Sequence, residues 1–416
     1  MKVLLSVAVW GNDYVRLLTD FSIASQLSSN NIPKLARLHQ VTYHIITTRD
    51  AATSLRKNPT IELLGQHCAL IWDHIEDYGY NPFYIPRGKG SDKYPFLSRL
   101  QNISIERSSD YDVLVFNYAD FIWADGSLSN TIALMQDKTD AVLSFCLPVT
   151  KAPVQQVLNQ YRDRADALVI NVDPRVAASI AIGNLHPEAK LRFWEGPRFT
   201  DTPTYLLWAV ADEGLIIRAY HQTVLALRVR RNDPEYRAGI RHGSLDGYFT
   251  STLAEKSRVV FASNSDDVLV FSLYETNIDS GVKSHQTREM ALETCLRTVV
   301  SEGQRRFAAV PIYVKQKYEN AQAWKQVAEE SQKILDSVHK KIPSNPEVFA
   351  HMHSQLDNIS FHERHWRASG SIIRSLYVRA FLKIVASPLG AVFKSAIGRS
   401  RVRSIRLKIE GWLFRP

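Results

Sequence analysis

Acidic residues follow a strongly apolar run in the first third of the chain. Asp120 comes directly after YDVLVFNYA, and Asp125 follows in the loop FIWADGS. In open α/β sheets, ligands bind at the carboxyl ends of strands. A carboxylate at such an end can hold a divalent cation that bridges a diphosphate, because hard cations prefer oxygen ligands. Either acid could instead cap the helix predicted from about Ser127, and the spacing leaves both interpretations open.

A second group of candidate residues lies beyond the middle of the chain. His221 separates two apolar runs and could ligate a metal, hydrogen-bond a leaving phosphate, or be a core histidine. Asp246, in HGSLDGYF, could be a general base, bind an acceptor hydroxyl, or cap a helix, and His242 is an alternative to it. Glu195, in RFWEGPRFTD, is either another catalytic carboxylate or an exposed loop acid.

The elements that must position these residues follow from the hydrophobic pattern. Short apolar runs alternate with helical patterns in the first third, which predicts βαβ units on a parallel sheet. The predicted strands are 3–10, 41–48, 69–75, 111–118, 140–149, 215–220, 223–229 and 266–274. The predicted helices include 13–27, 60–67, 93–107, 289–302 and 320–341. The predicted fold class is therefore α/β, with a Rossmann-type mixed sheet flanked by helices and a helical C-terminal extension, although GxGxxG is absent.

Composition excludes several classes of protein. Hydrophobic residues make up 45% and charged residues 22% of the 416 residues, which excludes a wholly disordered or collagen-like chain. The three cysteines have no neighbour at metal-ligand or redox spacing, which excludes a zinc ribbon or a disulfide framework. The apolar start MKVLLSVAVW lacks a small-residue cleavage site, so we interpret it as a buried strand. Because no stretch reaches the about 18 apolar residues of a spanning helix, we expect a cytoplasmic protein.

The positive charge is concentrated at the C-terminal end. Of the 51 Lys and Arg residues, eleven lie in residues 367–416, where Glu410 is the one acid, so residues 1–366 are nearly neutral. The bases alternate with Ile, Leu, Val and Phe, which favours a helix at an anionic membrane surface, here the inner face of the plasma membrane. Nucleic acid could satisfy the same charges, but the apolar content disfavours it. A pair of helices packed on the globule, with the bases outward, is an open alternative.

The order of these motifs resembles the GT-A fold of glycosyltransferases. The runs VLLSVAVWG, TYHIITTRD, YPFLSRLQNISIERS and DYDVLVFNYADFIWADGSL resemble its nucleotide-binding half. The block PTYLLWAVADEGLIIRAYHQTVLALRV with GSLDGYF resembles the acceptor half of a bacterial branch. The resemblance covers residues 1–280, which predicts a domain 1–280, a helical extension 281–345 and a basic amphipathic tail 346–416.

The resemblance implies a nucleotide-sugar donor and a divalent cation, Mn²⁺ or Mg²⁺. The residues that it implies for donor contacts are Val9, Trp10, Gly11, Thr47, Thr48, Arg49, Asp50, Arg99 and Asp120. Asp120 corresponds to the last acid of the family's DxD motif, whereas Tyr118 replaces the first acid, so the motif reads YAD. Asp120 and His221 are the implied metal ligands.

The chemistry of the implied reaction assigns the remaining roles. Negative charge grows on the diphosphate and must be neutralised, and inversion requires a carboxylate that takes the acceptor's proton. Asp246 is the predicted base, with Glu195 second. The predicted function is transfer of a sugar from a nucleotide-sugar to a glycan or lipid-linked acceptor in bacterial cell-surface polysaccharide synthesis. The YAD departure leaves a catalytically silent nucleotide- or glycan-binding assembly partner as the alternative.

Overall fold

The chain divides into two compact units. A computed structural model describes residues 1–80, 93–229, 258–276, 287–298, 300 and 302–342. One unit comprises Met1–Ile75 with Pro86–Met352, and the other comprises Glu76–Ile85 with His353–Pro416. The described part of the second unit is residues 76–80, so the strands and helices below belong to the first.

The described residues form three β-sheets. Their strands are, in chain order, β1 (Lys2–Ala8), β2 (Gln40–Thr47), β3 (Ala69–His74), β4 (Val113–Asn117), β5 (Phe121–Trp123), β6 (Ala141–Ser144), β7 (Leu147–Thr150), β8 (Tyr205–Val210), β9 (Gly214–Ala219), β10 (Thr223–Arg228), β11 (Val259–Phe261), β12 (Val270–Tyr274) and β13 (Ile312–Lys315). The main sheet has the order β11, β6, β10, β4, β1, β2, β3. The two smaller sheets have the orders β5, β12, β7 and β13, β9, β8.

The main sheet is mixed but mostly parallel. Strands β3, β2, β1 and β4 run parallel to one another, with Val3 opposite Val41 on one side and Val113 on the other. Strand β10 then runs antiparallel to both β4 and β6, and β11 is parallel to β6. The predicted fold class, a mixed α/β sheet flanked by helices, is confirmed.

Helices flank the sheets. They are α1 (Asn12–Leu17), a π-helical continuation (Leu18–Ile23), α2 (Ala24–Gln26), α3 (Ile32–Leu38), α4 (Arg49–Leu55), α5 (Pro59–His67), α6 (Lys93–Arg107), α7 (Ser127–Ala133), α8 (Lys151–Leu158), α9 (Pro174–Gly183), α10 (Pro187–Lys190), α11 (Arg288–Thr298), α12 (Glu302–Ala308) and α13 (Ala321–His339). Strands covered on both faces are apolar throughout. In β1, Leu5 belongs to the same core as Leu18, whereas the adjacent Leu4 belongs to the core on the other face with Phe116.

The strand predicted over 140–149 is instead two strands. β6 pairs with β10 and β11 in the main sheet, whereas β7 pairs with β12 in a smaller sheet. Between them, the Phe145 ring packs against Tyr205 with the ring centroids 4.5 Å apart. The prediction failed because a continuous apolar run does not show with which sheet each residue pairs.

The segment predicted as a helical extension, 281–345, also contains a strand. β13, which lies between α12 and α13 in the sequence, pairs antiparallel with β9. Trp324 on α13 is buried and donates its Nε1–H to Glu213 at 2.7 Å, which attaches the helix to the β9 side. The predicted domain boundaries stay predictions, and the tail 346–416 lies outside the described residues. Among the described residues, no helix has the length and apolar character to cross a membrane.

Candidate functional site

The order of the parallel strands reverses between β1 and β4. From β1 the chain adds β2 and β3 on one side, and β4 then returns to the other side of β1. In doubly wound sheets, ligands bind outside the carboxyl ends of the strands at this reversal. Residues 9–11 follow β1. Residues 47–50 begin with the last residue of β2, and residues 117–120 begin with the last residue of β4. We call these three segments the switch-point edge.

Two buried polar side chains at the switch-point edge have no hydrogen-bond partner among the described residues. They are the Asn117 amide, at both Nδ2 and Oδ1, and the Thr47 hydroxyl. Asn117 is 5% exposed and Thr47 is fully buried. Val7 lies opposite both Ile45 and Asn117, so Thr47, two residues after Ile45, lies on the same face as Asn117. A buried polar group without a partner costs about 1–3 kcal/mol, so these two groups are candidate ligand contacts.

The loop after β1 is a tight turn beside α6. Val9 is buried and extends the strand by donating its N–H to Ile46 O at 2.9 Å. Gly11 has φ +79°, a conformation that favours glycine. The Trp10 ring lies edge-on to Phe96 of α6, with centroids 5.1 Å apart. Arg99 lies one turn further along α6 and is 6% exposed, so the predicted cation belongs to the helix that packs beside this loop.

The residues after β2 begin a helix. Thr48 Oγ1 accepts a hydrogen bond from Ala51 N at 3.3 Å and caps α4. Arg49 and Asp50 occupy the first turn of α4 and are exposed. Thus Thr48 has a structural role, whereas Arg49 and Asp50 present charged groups to solvent at the predicted base and ribose position.

Asp120 lies in the turn that follows β4. It is partly exposed, and its backbone carbonyl accepts a hydrogen bond from Leu273 N of β12 at 3.0 Å. Tyr118, two residues earlier, accepts at its phenol oxygen from Gln101 Nε2 of α6 at 2.8 Å. The position at which the resembled family has an acid is therefore used here to attach α6 to the end of β4.

The helix-capping alternative for the two acids does not hold. The residue that precedes α7 is Gly126, and the side chain that accepts from the first turn of that helix is Asn31, whose Oδ1 receives the Leu128 N–H at 2.9 Å. Asp125 accepts instead from the backbone N–H and the side-chain amide of Asn30, at 3.1 and 2.6 Å. Asp125 therefore connects two loops, and Asp120 is left as the acid at the carboxyl end of β4.

His221 lies at the same edge of the sheet as Asp120. It falls in the turn between β9 and β10 and is partly buried. Because β10 runs antiparallel to β4, with Ala226 opposite Val115, it begins where β4 ends. The described residues contain no group of three or more His, Cys, Asp or Glu side chains that could hold a metal ion. Asp120 and His221 therefore do not form a complete metal site within the described part of the chain.

Of the two predicted bases, Glu195 is the one that lies within the described residues. Asp246 and its alternative His242 lie outside the described residues. Glu195 is exposed, in a turn in which Gly196 N donates to Phe193 O at 3.0 Å. Its neighbour Trp194 stacks on Trp208 with centroids 6.1 Å apart. In the described structure, no contact joins Glu195 to the switch-point edge.

A buried polar network crosses the other face of the parallel strands. Ser6 Oγ lies 3.0 Å from His44 Nδ1, and His44 Nε2 lies 2.9 Å from Asp73 Oδ2. From α6, Ser104 Oγ accepts from Ser6 at 2.7 Å. Arg107 donates from Nε and Nη2 to the two oxygens of Asp73 at 2.7 and 2.6 Å. This network, which we call the strand-face network, attaches α6 to β1, β2 and β3.

Burial shows that the strand-face network is structural. Ser6, His44 and Asp73 are 2%, 0% and 6% exposed, which leaves no access for a substrate despite the Ser, His, Asp sequence of contacts. Burial alone would raise the pKa of Asp73, but the hydrogen bonds from Arg107 and His44 outweigh it and hold that pKa well below its usual range. Sequence reasoning missed this network and Asn117; the available signal was polar residues at alternate positions within apolar strands.

Comparisons with known proteins give distant likenesses. No protein-family model matches the sequence, and no curated protein matches it significantly. Among solved structures, TarS from S. aureus is 14% identical over 36% of this chain, with a TM-score of 0.24, and the match spans 22% of TarS. The mannosyltransferase PcManGT from Pyrobaculum calidifontis, in complex with GDP-Man and Mn²⁺, is 13% identical, with a TM-score of 0.32, over 94% of this chain and 83% of that one. Mouse xyloside xylosyltransferase 1 is 12% identical, with a TM-score of 0.26, over 40% of this chain and 61% of that one. Likenesses at these scores assign no residue of this chain to a role.

Proposed function

We propose that this chain is a glycosyltransferase that moves a sugar from a nucleotide-sugar donor to a glycan or lipid-linked acceptor in bacterial cell-surface polysaccharide synthesis. The observation that carries the proposal is the switch-point edge, where the unpartnered buried groups of Thr47 and Asn117 lie on one face of strands that flank β1. A nucleotide offers both donors and acceptors, and the Asn117 amide can pair with either.

The proposed reaction needs positive charge where the diphosphate leaves. Arg99, in the helix beside the Trp10 loop, and Arg49, exposed at the start of α4, are the cations that we assign to this role. Asp120 and His221 stay the proposed ligands of Mn²⁺ or Mg²⁺. Asp246 stays the proposed base that takes the acceptor's proton, with Glu195 second.

The test is donor binding and turnover by the full chain. UDP-, GDP- and dTDP-sugars are screened by thermal shift with and without Mn²⁺, and release of the nucleoside diphosphate is then measured for each sugar that binds. We expect at least one donor to raise the melting temperature and to be turned over. The variant Asp120→Ala should lose turnover and keep its fold, whereas the exposed Asp137→Ala is the matched control with normal turnover. Turnover that survives Asp120→Ala would remove the role of this acid.

A second candidate function is favoured by one observation. Tyr118 stands in place of an acid and its phenol is bonded to Gln101, so the chain could bind a donor or glycan without turning it over and act as an assembly partner. Donor binding without release of nucleoside diphosphate, with any acceptor extract, would select this candidate. Absence of binding for every sugar nucleotide would contradict the glycosyltransferase, and absence of glycan binding as well would contradict the assembly partner.

The basic tail supports the proposed place of action. A glycolipid acceptor lies at a membrane, and the cationic, partly apolar residues 367–416 suit an anionic membrane surface on the cytoplasmic side. We expect the full chain to sediment with vesicles that contain phosphatidylglycerol and a chain truncated after residue 345 to stay in the supernatant. Equal retention on DNA and on vesicles would show a charge effect without preference for lipid.

A further inference from the structure

A cavity lies between the sheet of β13 and β9 and the first half of α13. Its volume is about 450 Å³, within the range of small-molecule sites. The charged and aromatic residues that line it are Arg218, Tyr313, Lys315, Tyr318, Trp324, Lys325 and Glu329. None of these residues belongs to the switch-point edge, so this cavity is a separate candidate site.

Arg218 is a buried cation that hydrogen-bonds no carboxylate among the described residues, although the Asp336 carboxylate attracts it through space. It is 2% exposed, and within the described residues its guanidinium meets neutral oxygens alone, among them Ala309 O at 2.7 Å, Ala328 O at 2.8 Å and Gln332 Oε1 at 2.9 Å. Ser331 Oγ accepts a hydrogen bond from Nε–H at 3.0 Å. Because Nη2 donates one of its two N–H groups to Ala328 O, its other N–H is left for a further acceptor. Burial lowers the pKa of Arg218 to about 10, and the group stays charged at neutral pH.

The described neighbours compensate this charge in part. The Ala308 and Ala309 carbonyls end the short helix α12, and a helix C-terminus carries partial negative charge. Buried charges are ordinarily paired with an opposite charge. Because Arg218 lines a cavity large enough for a small molecule, a bound anion could supply the opposite charge.

Two lysines add positive charge to the same cavity. Lys315 is 14% exposed at its side chain and lies 3.6 Å from Asp266, with its Nζ 4.5 Å from the centroid of the Tyr318 ring. Lys325 is 68% exposed and lies 3.9 Å from Glu329. The lining itself therefore has three cations against one carboxylate, Glu329, while Asp266 and Asp336 lie outside the lining beside Lys315 and Arg218.

We propose that this cavity binds a small phosphate-bearing ligand, with the phosphate next to Arg218, Lys315 and Lys325. A phosphate monoester carries about −1.5 to −2 charges at pH 7, which matches the excess of positive charge in the lining. A guanidinium and two ammonium groups suit its several oxygens. The exposed Tyr318 ring at the same cavity can contact a sugar ring attached to the phosphate. This inference does not depend on the proposed function.

The test is a calorimetric titration of the full chain with glucose 6-phosphate, with inorganic phosphate and glucose as the comparison probes. We expect glucose 6-phosphate to bind most tightly, inorganic phosphate to bind more weakly, and glucose not to bind. The variant Lys325→Glu, at an exposed position that leaves the fold intact, should weaken the affinity for glucose 6-phosphate by about tenfold or more.

The matched control is Lys317→Glu, which makes the same charge change at an exposed lysine that pairs with Asp212 outside the cavity lining. It should leave the affinity unchanged. Equal weakening by both variants would show a general charge effect, and unchanged affinity in Lys325→Glu would place any phosphate elsewhere. Either result, or no binding of a phosphate probe at millimolar concentration, would overturn the proposal.

Discussion

The same parallel strands carry buried polar side chains of two kinds. On one face, Ser6, His44 and Asp73 form the strand-face network, in which each side chain has a described partner. On the other face, at the switch-point edge, Thr47 and Asn117 have none. Satisfied buried groups hold a fold together, whereas unsatisfied ones are expected where a ligand binds. The comparison therefore separates structural from candidate binding residues without reference to any known protein.

The largest expected effect is a loss of stability when the strand-face network is broken. Asp73→Ala leaves the buried His44 and the Arg107 guanidinium without their acceptor, and the loss of one partner of a buried pair costs about 3 kcal/mol of unfolding free energy. Urea unfolding followed by circular dichroism measures the loss. The exposed Asp137→Ala is the control and should change stability by less than about 0.5 kcal/mol. A loss below about 1 kcal/mol for Asp73→Ala would mean that the network contributes little to stability.

The acid dependence of stability sharpens the same prediction. The folded-state pKa of Asp73 is lowered, so the unfolded state binds a proton more readily than the native state. Asp73 therefore stabilises the fold above its ordinary pKa near 3.8, and this contribution is lost as the pH falls towards the lowered folded value. Between pH 4 and pH 2, the unfolding free energy of the wild type should fall more steeply than that of Asp73→Asn. Parallel curves would assign the acid sensitivity to other carboxylates.

At the switch-point edge, a substitution should leave stability unchanged and lower donor binding instead. Asn117→Leu replaces the unpartnered amide by an apolar group of similar size, so we expect an unchanged or slightly higher unfolding free energy. Donor affinity should nevertheless fall by about tenfold or more, because the amide would no longer meet the nucleotide. Urea unfolding and calorimetry with the best donor of the screen provide the two readings. A clear loss of stability with unchanged donor affinity would make Asn117 a structural residue like those of the network.

The extent to which sequence predicted this fold depends on the element. The bounds of β1 to β4 come within about two residues of the prediction, because parallel strands that are covered on both faces are continuous apolar runs. The interruption at His221 also correctly separates β9 from β10. The run 140–149 misled because sheet membership depends on long-range pairing, which Phe145 and its neighbours do not encode locally.

The candidate site was harder to predict than the sheet. Asp120 could be singled out because it directly follows an apolar run. The partners of His44 come from β1 and β3, far along the chain, and they meet only once strand register is set. Asn117 could be seen as the polar end of a strand, but whether its amide has a partner depends on packing that the sequence does not show. The position of Asp120 after an apolar run therefore indicated the end of a strand, and it left the roles of the residues at the switch-point edge open.

The smallest expected effect concerns the turn that brings Trp10 to α6. Gly11 has φ +79°, and a Cβ atom added there meets nothing within 4 Å, so Gly11→Ala introduces backbone strain without a steric clash. With ψ at 139° the residue lies outside the left-handed helical region, and the strain should cost at least about 1 kcal/mol of unfolding free energy, measured by urea unfolding. Gly183→Ala is the matched control: Gly183 closes α9 at a negative φ with equally open space, so it should be neutral or stabilising by up to about 1 kcal/mol. If the loop after β1 contacts the donor as proposed, Gly11→Ala should also weaken donor binding, whereas Gly183→Ala should not. Equal donor affinity in both variants would place the donor away from this loop while leaving the proposed contact at Asn117 intact.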